Sequence, residues 1–167
     1  VNNSQAQLAI FSSSTLHNSF LYQPLETKNH INFETICGGR ILDICQQYQQ
    51  FYQVQHATNR LLILAVTGLN DLHRSSNKMM ITHMRHVKSI IESNEHHKII
   101  FVNLLTPPKL CNFNRPHVII PAHMDLPARP NYLQRIRLLN ANIEVLNDGI
   151  KFPMERYGCR MKGNKLT

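Results

Sequence analysis

Residues 60–72 read RLLILAVTGLNDL, and this stretch decides the fold class that the sequence predicts. An unbroken apolar run at 61–66 gives way to the polar corner Thr67-Gly68-Leu69-Asn70-Asp71. A run of Leu, Ile and Val bounded by turn residues is typical of a strand buried on both faces in the middle of a parallel sheet. In open α/β sheets, ligands bind just beyond the C-terminal ends of such strands, so we expect a functional site at this corner.

Strand and helix patterns alternate on both sides of this stretch. Apolar segments rich in β-forming residues predict strands at 6–11, 30–37, 61–66, 98–105 and, last, at Ile143–Leu146. Apolar stripes at helical spacing predict three core-facing helices between the later strands. The first follows Gly38-Gly39, with the stripe Ile41, Ile44, Cys45, Tyr48, Phe51 and Tyr52, and the second lies at 78–95, capped by Asn77, with the stripe Met80, Met84, Val87 and Ile91. The third follows Pro130, with the stripe Tyr132, Leu133, Ile136 and Leu139. Strands that alternate with helices imply a parallel sheet covered on both faces. The predicted fold is a three-layer α/β/α sandwich with a parallel sheet of about five strands. It forms one domain at 1–167, with a basic tail at 147–167 packed on or near it.

Charge and hydropathy restrict the class of partner. The chain has 167 residues, with 18 Lys or Arg against 10 Asp or Glu, a formal net charge of +8 and a pI of about 9.6. A compact domain this basic suits a polyanionic partner. No apolar run approaches the roughly 18 residues of a membrane span, so no membrane partner is predicted. The N-terminal residues lack the basic and apolar regions of a signal peptide.

The cysteines predict neither a disulfide framework nor a metal site. Cys37, Cys45, Cys111 and Cys159 form no CxxC pair and no cluster with metal-ligand spacing. Free thiols in a reducing compartment are the expected state, which predicts a cytoplasmic location. No cofactor is predicted.

Four corners at predicted strand ends carry a family resemblance. They are Ser14, Gly38-Gly39, the Gly-Leu-Asn-Asp at 68–71, and the Asn-Asp-Gly-Ile-Lys-Phe at 147–152. Their order and spacing resemble the SGNH (GDSL-type) hydrolases, esterases with a flavodoxin-like sheet. The resemblance implies that Ser14 takes the nucleophile position and that Gly38 or Gly39, with Asn70, takes the oxyanion-hole positions. The match at 68–71 is the most specific one, whereas both residues before Ser14 differ from the family's Gly-Asp-Ser.

The fourth corner predicts that the domain is not an enzyme. The family has an Asp-x-x-His pair here, whereas this chain has Asp148 followed three residues later by Lys151. A serine nucleophile needs an adjacent base that is neutral near pH 7. A lysine, with a reference pKa of about 10.4, stays protonated there. An active esterase with a rearranged triad, in which His73 or His123 replaces the missing base, is the alternative.

A basic domain with these corners and no general base resembles the SGNH-like domain of an insect germ-plasm organiser. The resemblance implies an RNA-binding module that recognises 3′ untranslated regions of maternal messenger RNAs. It also implies germ-plasm proteins as further partners and ribonucleoprotein granules of the cytoplasm as the location. No small-molecule substrate is expected.

The C-terminal part of the chain supplies the candidate RNA contacts. From Arg129 onward there are eight Lys or Arg and three acids. The predicted RNA-binding residues are Arg40, Arg135, Arg137, Lys151, Arg156 and Arg160, with Tyr157 as a candidate to stack on a base. Lys151 and Arg40 are expected to face the same C-terminal edge of the sheet. A protein-interaction scaffold that docks a partner on the proline-rich segment 106–129 is the remaining alternative.

Overall fold

The structure is a computed structural model that describes residues 7–13, 31–36, 39–72, 74–104, 129–151, 161–162 and 165–166. Four strands form the main sheet: β1 (Gln7–Ser13), β2 (Asn32–Ile36), β3 (Leu61–Val66) and β4 (His97–Phe101). The described helices are α1 (Asp43–Phe51), α2 (Leu69–Leu72), α3 (Asn77–Ile91) and α4 (Arg129–Leu146). Two short strands, β5 (Met161–Lys162) and β6 (Lys165–Leu166), pair antiparallel near the C-terminus.

The main sheet is parallel, with strand order β2-β1-β3-β4. Ile63 lies opposite Ala9 on one side and Ile99 on the other, so β3 is an interior strand. Parallel neighbours need long crossover connections, and α1 and α3 supply them for β3 and β4. The predicted α/β class and the predicted span of β3 are therefore confirmed.

Among the described residues, the main hydrophobic cluster lies on one face of this sheet. Leu61, Ile63 and Ala65 are buried beneath apolar side chains of α1, α3 and α4, such as Tyr48, Met84 and Leu139. The alternate residues of β3 are only half-buried. The prediction that β3 is buried on both faces is therefore correct for one face. Side chains alternate along a strand, and the described helices cluster on the Ile63 face.

Helix α3 begins as the pattern predicts, but with a different cap. The Ser76 hydroxyl accepts a hydrogen bond from the Met79 N–H at 3.2 Å, so Ser76 and not Asn77 is the N-cap. The predicted seam of Met80, Met84, Val87 and Ile91 is buried. Asn77 is the first residue of the helix, and its side chain bonds to α4.

Helix α4 is longer than predicted, and the predicted last strand at Ile143–Leu146 is wrong. These residues are the final turn of α4. Ile136, Leu139 and Ile143 are buried at i, i+3 and i+7, so Ile143 continues the helical stripe. The β-branched Ile143 and Val145 favour a strand locally, but burial of the stripe decides for the helix.

The Asp148-Gly149 pair ends α4. The Gly149 N–H donates to the Glu144 carbonyl at 2.8 Å, and the Asp148 N–H donates to the Val145 carbonyl at 3.1 Å. Asp148 has a φ of 57°, in the left-handed region. This arrangement is a Schellman motif, in which a left-handed residue lets the chain turn back on the last carbonyls of the helix.

Candidate functional site

The corner after β3 is built on Gly68. This glycine has a φ of 117°, and a Cβ added there would lie 3.3 Å from the Leu104 side chain. A left-handed conformation in such close contact favours glycine. The Leu72 N–H donates to the Gly68 carbonyl at 2.9 Å, and the short helix α2 thus presents Asn70 and Asp71 to the preceding corner of the chain.

Asn70 joins this corner to the corner after β2. Its Nδ2 donates to the Gly39 carbonyl oxygen at 2.9 Å, and the Gly39 N–H donates to the Ile36 carbonyl at 3.0 Å. The two corners approach within hydrogen-bonding distance, as expected for the C-terminal edge of a parallel sheet. The Gly39 N–H and one N–H of Asn70, both predicted oxyanion donors, bond to carbonyl groups of the protein itself.

Asp71 is the buried anchor of the same corner. Its side chain is 3% exposed, and its Oδ2 accepts a hydrogen bond from the Ile41 N–H at 3.0 Å. Burial raises the pKa of the carboxyl group, while the Ile41 hydrogen bond and the nearby charge of Arg40 oppose that rise. Asp71 therefore fixes the start of α1 to the end of β3. The motif at 68–71 indicated a site here but did not predict this partner, 30 residues away.

Arg135 is a structural clamp at this edge of the sheet. Its guanidinium donates to the carbonyl oxygens of Ser75 at 2.7 Å and Leu72 at 3.3 Å, and to the Asn77 Oδ1 at 3.2 Å. The Asn77 Nδ2 donates back to the Arg135 carbonyl at 2.9 Å. These bonds hold the loop between α2 and α3 against α4. Arg135 thus lies at the predicted edge, with three of its donors bonded inside the protein.

Asp148 and Lys151 lie away from the corner. The side chain of Asn140 bonds to both backbone groups of Leu104, and that of Asn147 bonds to both backbone groups of Phe101. Helix α4 therefore runs antiparallel to β4, and the chain leaves it toward the N-terminal edge of the sheet. Asp148 lines a cavity there with His97, at the start of β4.

The expectation that Lys151 faces the same edge as Arg40 is therefore wrong. Its Nζ lies 3.2 Å from the Glu144 carboxylate, in the last turn of α4. Had residues 143–146 formed a strand, the following residues would have emerged at the C-terminal edge. Because they form the end of α4, the following residues emerge at the opposite edge.

The remaining predicted residues divide into two groups. Arg40 and Arg137 are exposed, and neither is in an ion pair with another described residue. The Arg40 N–H donates to the Asp43 carboxylate at 2.7 Å, at the start of α1. Ser14, Gly38, His73, His123, Arg156, Tyr157, Arg160 and the proline-rich segment 106–128 lie outside the described residues.

A buried aromatic and histidine cluster at the N-terminal edge was not predicted. The His97 Nε2 bonds to the His56 carbonyl at 2.7 Å, and the Tyr48 hydroxyl bonds to its Nδ1 at 2.6 Å. Because a carbonyl oxygen only accepts, the His97 Nε2 is the donor to His56. Burial and the proximity of His97 lower the pKa of His56. Both nitrogens of His97 are engaged, so it supplies no base to the distant corner.

The described part of the chain offers no metal-binding cluster. No group of three His, Cys, Asp or Glu side chains is placed there to hold a metal ion. Cys45 is a free thiol, and burial raises its pKa, which disfavours a reactive thiolate. Among the described helices, none is long and apolar enough to span a membrane.

Comparison with solved structures defines the fold class. The parallel α/β fold is that of the SGNH or GDSL-like proteins. A GDSL-like lipase from Bacteroides thetaiotaomicron matches with a TM-score of 0.65 and 14% sequence identity, over 98% of this chain and 75% of the lipase chain. At that identity, the likeness shows the fold alone. No family model and no curated protein sequence matches the chain.

Proposed function

We propose that this chain is a non-catalytic RNA-binding domain on an SGNH-like fold. The observation that carries the proposal is charge: a formal net charge of +8, with Arg40 and Arg137 exposed and outside the ion pairs of the described residues. Exposed cations on a rigid domain attract a polyanion and release its counterions on binding. Arg156 and Arg160 remain predicted contacts, and Arg135 contributes its charge from a fixed position.

The hydrogen bonds at the corner support the non-catalytic part of the proposal. An oxyanion hole needs N–H donors aimed at the developing negative charge. Here the Gly39 N–H bonds to the Ile36 carbonyl, and the Asn70 amide bonds to the Gly39 carbonyl. These donors therefore form hydrogen bonds within and between the segments that follow β2 and β3. Lys151 pairs with Glu144 in the last turn of α4, away from this corner, so it does not occupy the position of a catalytic base here.

The finer proposal concerns the biological partner. The segments ICGGRILD at 36–43 and VTGLNDL at 66–72, with the basic C-terminal part, are similar to the C-terminal domain of Oskar, the insect germ-plasm organiser. That similarity implies binding to maternal messages, among them the 3′ untranslated regions of the nanos and oskar messenger RNAs. It also implies work in cytoplasmic germ-plasm granules beside other germ-plasm proteins.

Binding to a nanos 3′ untranslated RNA tests the function. We expect the wild-type domain to bind in a filter assay. Arg40→Glu and Arg137→Glu should each weaken binding, because each reverses a charge at an exposed position. Circular dichroism should show that both variants stay folded. Crosslinking with peptide mapping then identifies the contacts, including any at Arg156 and Arg160. A folded wild-type domain that binds no RNA would favour the protein-interaction scaffold instead.

An ester hydrolase is the second candidate, and the fold likeness to a GDSL-like lipase favours it. A chromogenic short-chain ester supplies the assay, and Ser14→Ala is the matched variant. We expect no turnover above the uncatalysed rate in either protein. Turnover that Ser14→Ala abolishes would overturn the non-catalytic part of the proposal while leaving RNA binding open to its own test.

A further inference from the structure

A second group of cations lies outside the predicted RNA-binding set. From Leu72 to Ile91 the chain has no Asp or Glu, whereas it has Arg74, Lys78, Arg85 and Lys88. This segment covers the loop after α2 and the whole of α3. Local charge of one sign over such a length favours contact with a polyanion.

The cations that lie on helix α3 itself point away from the core. Its buried stripe is Met80, Ile81, Met84, Val87 and Ile91. Lys78, Thr82, Arg85 and Ser89 are exposed and follow one another at i, i+4, i+7 and i+11, so they share the outward face. Lys78 and Arg85 are two turns apart, about 10.5 Å along the helix axis.

Ion pairing leaves this face positive. Lys88 pairs with Glu92 at 2.8 Å, which neutralises the far end of the helix. Arg74, Lys78 and Arg85 are exposed and form no ion pair with the described residues. We call these three residues the α3 cation face.

The acids of this part of the molecule lie at its other end. Glu92 and Glu95 follow the last turns of α3, and they line one cavity together with Asp148. Helix α3 starts at the C-terminal edge of the sheet and ends at the N-terminal edge. The cations of this segment that lack an ion pair with described residues therefore lie toward the C-terminal edge, whereas at the N-terminal edge the cations Arg60 and Lys98 lie among carboxylates.

Two of the predicted RNA contacts lie beside the positive end. Helices α3 and α4 pack together, and the Arg135 clamp joins the loop that carries Arg74 to α4. Arg137 is exposed on α4, but two positions are about 200° around a helix, so it does not share the face of α4 that carries the clamp. Arg40 is exposed at the start of α1, close enough to Asp71 to act on its pKa. The cation face thus continues past the Arg135 clamp toward Arg40.

We infer that the α3 cation face binds the phosphate backbone of RNA, with the strand lying along the outward face of α3 toward Arg40. This inference rests on the proposed RNA-binding function. It moves the contact surface away from Lys151, which is paired with Glu144 in the last turn of α4. Contacts of Lys and Arg to phosphates position the backbone without reading base edges, so we expect this face to bind RNA without sequence preference.

A pair of double variants tests the surface. Lys78→Gln with Arg85→Gln removes two cations from α3. Arg60→Gln with Lys98→Gln removes one Arg and one Lys that are also exposed but lie beside Glu95 at the N-terminal edge. The change in net charge is the same in both. Affinity for the nanos 3′ untranslated RNA and for poly(U) is measured over a range of salt concentrations, with circular dichroism as the check on folding.

We expect the α3 pair to weaken binding to both RNAs alike. It should also reduce the slope of log K against log salt by about 1.4, which is about 0.7 for each phosphate contact to a single strand. The control pair should leave the slope unchanged. Equal losses in the two double variants would show that only net charge matters and would overturn the surface. A wild-type affinity retained by the α3 pair would overturn it too. In both cases RNA binding itself stands, whereas a wild-type domain that binds neither RNA removes both proposals.

Discussion

The carboxylate of Asp71 shows how one residue can serve structure at a place where chemistry was expected. It is buried and accepts a hydrogen bond from the Ile41 N–H, so it joins the segment after β3 to the segment before α1. A buried acceptor of this kind holds its donor in place, and its loss leaves the donor without a partner. The acid of the motif at 68–71 therefore has a structural partner at this corner, the Ile41 N–H.

At the residue scale, we expect Asp71→Ala and Asp71→Asn to separate hydrogen bonding from charge. Asp71→Ala should lower the free energy of unfolding by about 1 to 3 kcal/mol, because the Ile41 N–H loses its partner. Asp71→Asn keeps a side-chain oxygen that can accept that bond and removes the cost of burying a charge, so it should be the milder change. Urea unfolding at neutral pH measures both variants. Equal losses would show that the charge itself is required.

The raised pKa of Asp71 also sets a pH dependence. The unfolded state loses this proton near the ordinary value of 3.8, before the folded state does. The contribution of Asp71 to stability is therefore largest at low pH and is lost as pH rises through the folded pKa. Asp71→Asn removes this dependence. The stability of wild type relative to Asp71→Asn should fall as pH rises from 3.8, and a flat difference would contradict the direction of the shift.

At the element scale, the end of α4 determines which residues meet at each edge of the sheet. Apolar spacing predicted α1, α3 and the first part of α4, because a buried stripe repeats every three or four residues. It did not predict where α4 ends. Ile143 and Val145 suit a strand as well as a helix, and only the packing of Ile143 into the core decides that this segment is helical. Because the end of α4 was predicted too early, Lys151 was predicted at the C-terminal edge of the sheet, which is the wrong edge.

The Schellman motif gives the C-terminal end of α4 its own test. Asp148 has a φ of 57° and places a negative charge near the carbonyl end of the helix. We expect Asp148→Gly to raise the free energy of unfolding by between about 0.3 and 1 kcal/mol, since glycine adopts this conformation freely and the unfavourable charge is removed.

Asp148→Ala is the matched control for backbone conformation. It removes the same charge but keeps a Cβ, so it should be less stable than Asp148→Gly by about 1 kcal/mol. Thermal and urea unfolding measure both. If the two variants are equally stable, the left-handed conformation of residue 148 does not limit the stability of α4.

At the scale of the whole molecule, the arrangement of charge matters more than its total. At the N-terminal edge, Glu92, Glu95 and Asp148 share a cavity with Lys98, so cations and carboxylates lie side by side. Toward the other edge, Arg40, Arg74 and Lys78 are exposed and form no ion pair with the described residues. A formal net charge of +8 attracts a polyanion from any direction, and this asymmetry orients it.

We expect RNA binding to weaken steeply with salt. Four phosphate contacts to a single strand, each contributing about 0.7 to the slope, would lower the affinity roughly 50-fold between about 50 and 200 mM salt. Filter binding across that range measures the slope. A salt-independent affinity would show that the cations do not contact phosphates, and it would contradict the electrostatic basis of the proposed function.

The sequence by itself determined the class of the fold, the span of β3, the buried seam of α3 and the excess of positive charge, whereas Phe51 of the predicted α1 stripe is exposed. These features depend on the periodicity and composition of short segments, which act locally. Only the tertiary structure decided that Asn70 bonds to Gly39, that Arg135 clamps the loop before α3, and that Lys151 lies far from the corner. Each of these is a contact between distant parts of the chain. Such a contact forms because packing brings particular sheet edges and helix ends together, and no local sequence pattern encodes which of them meet.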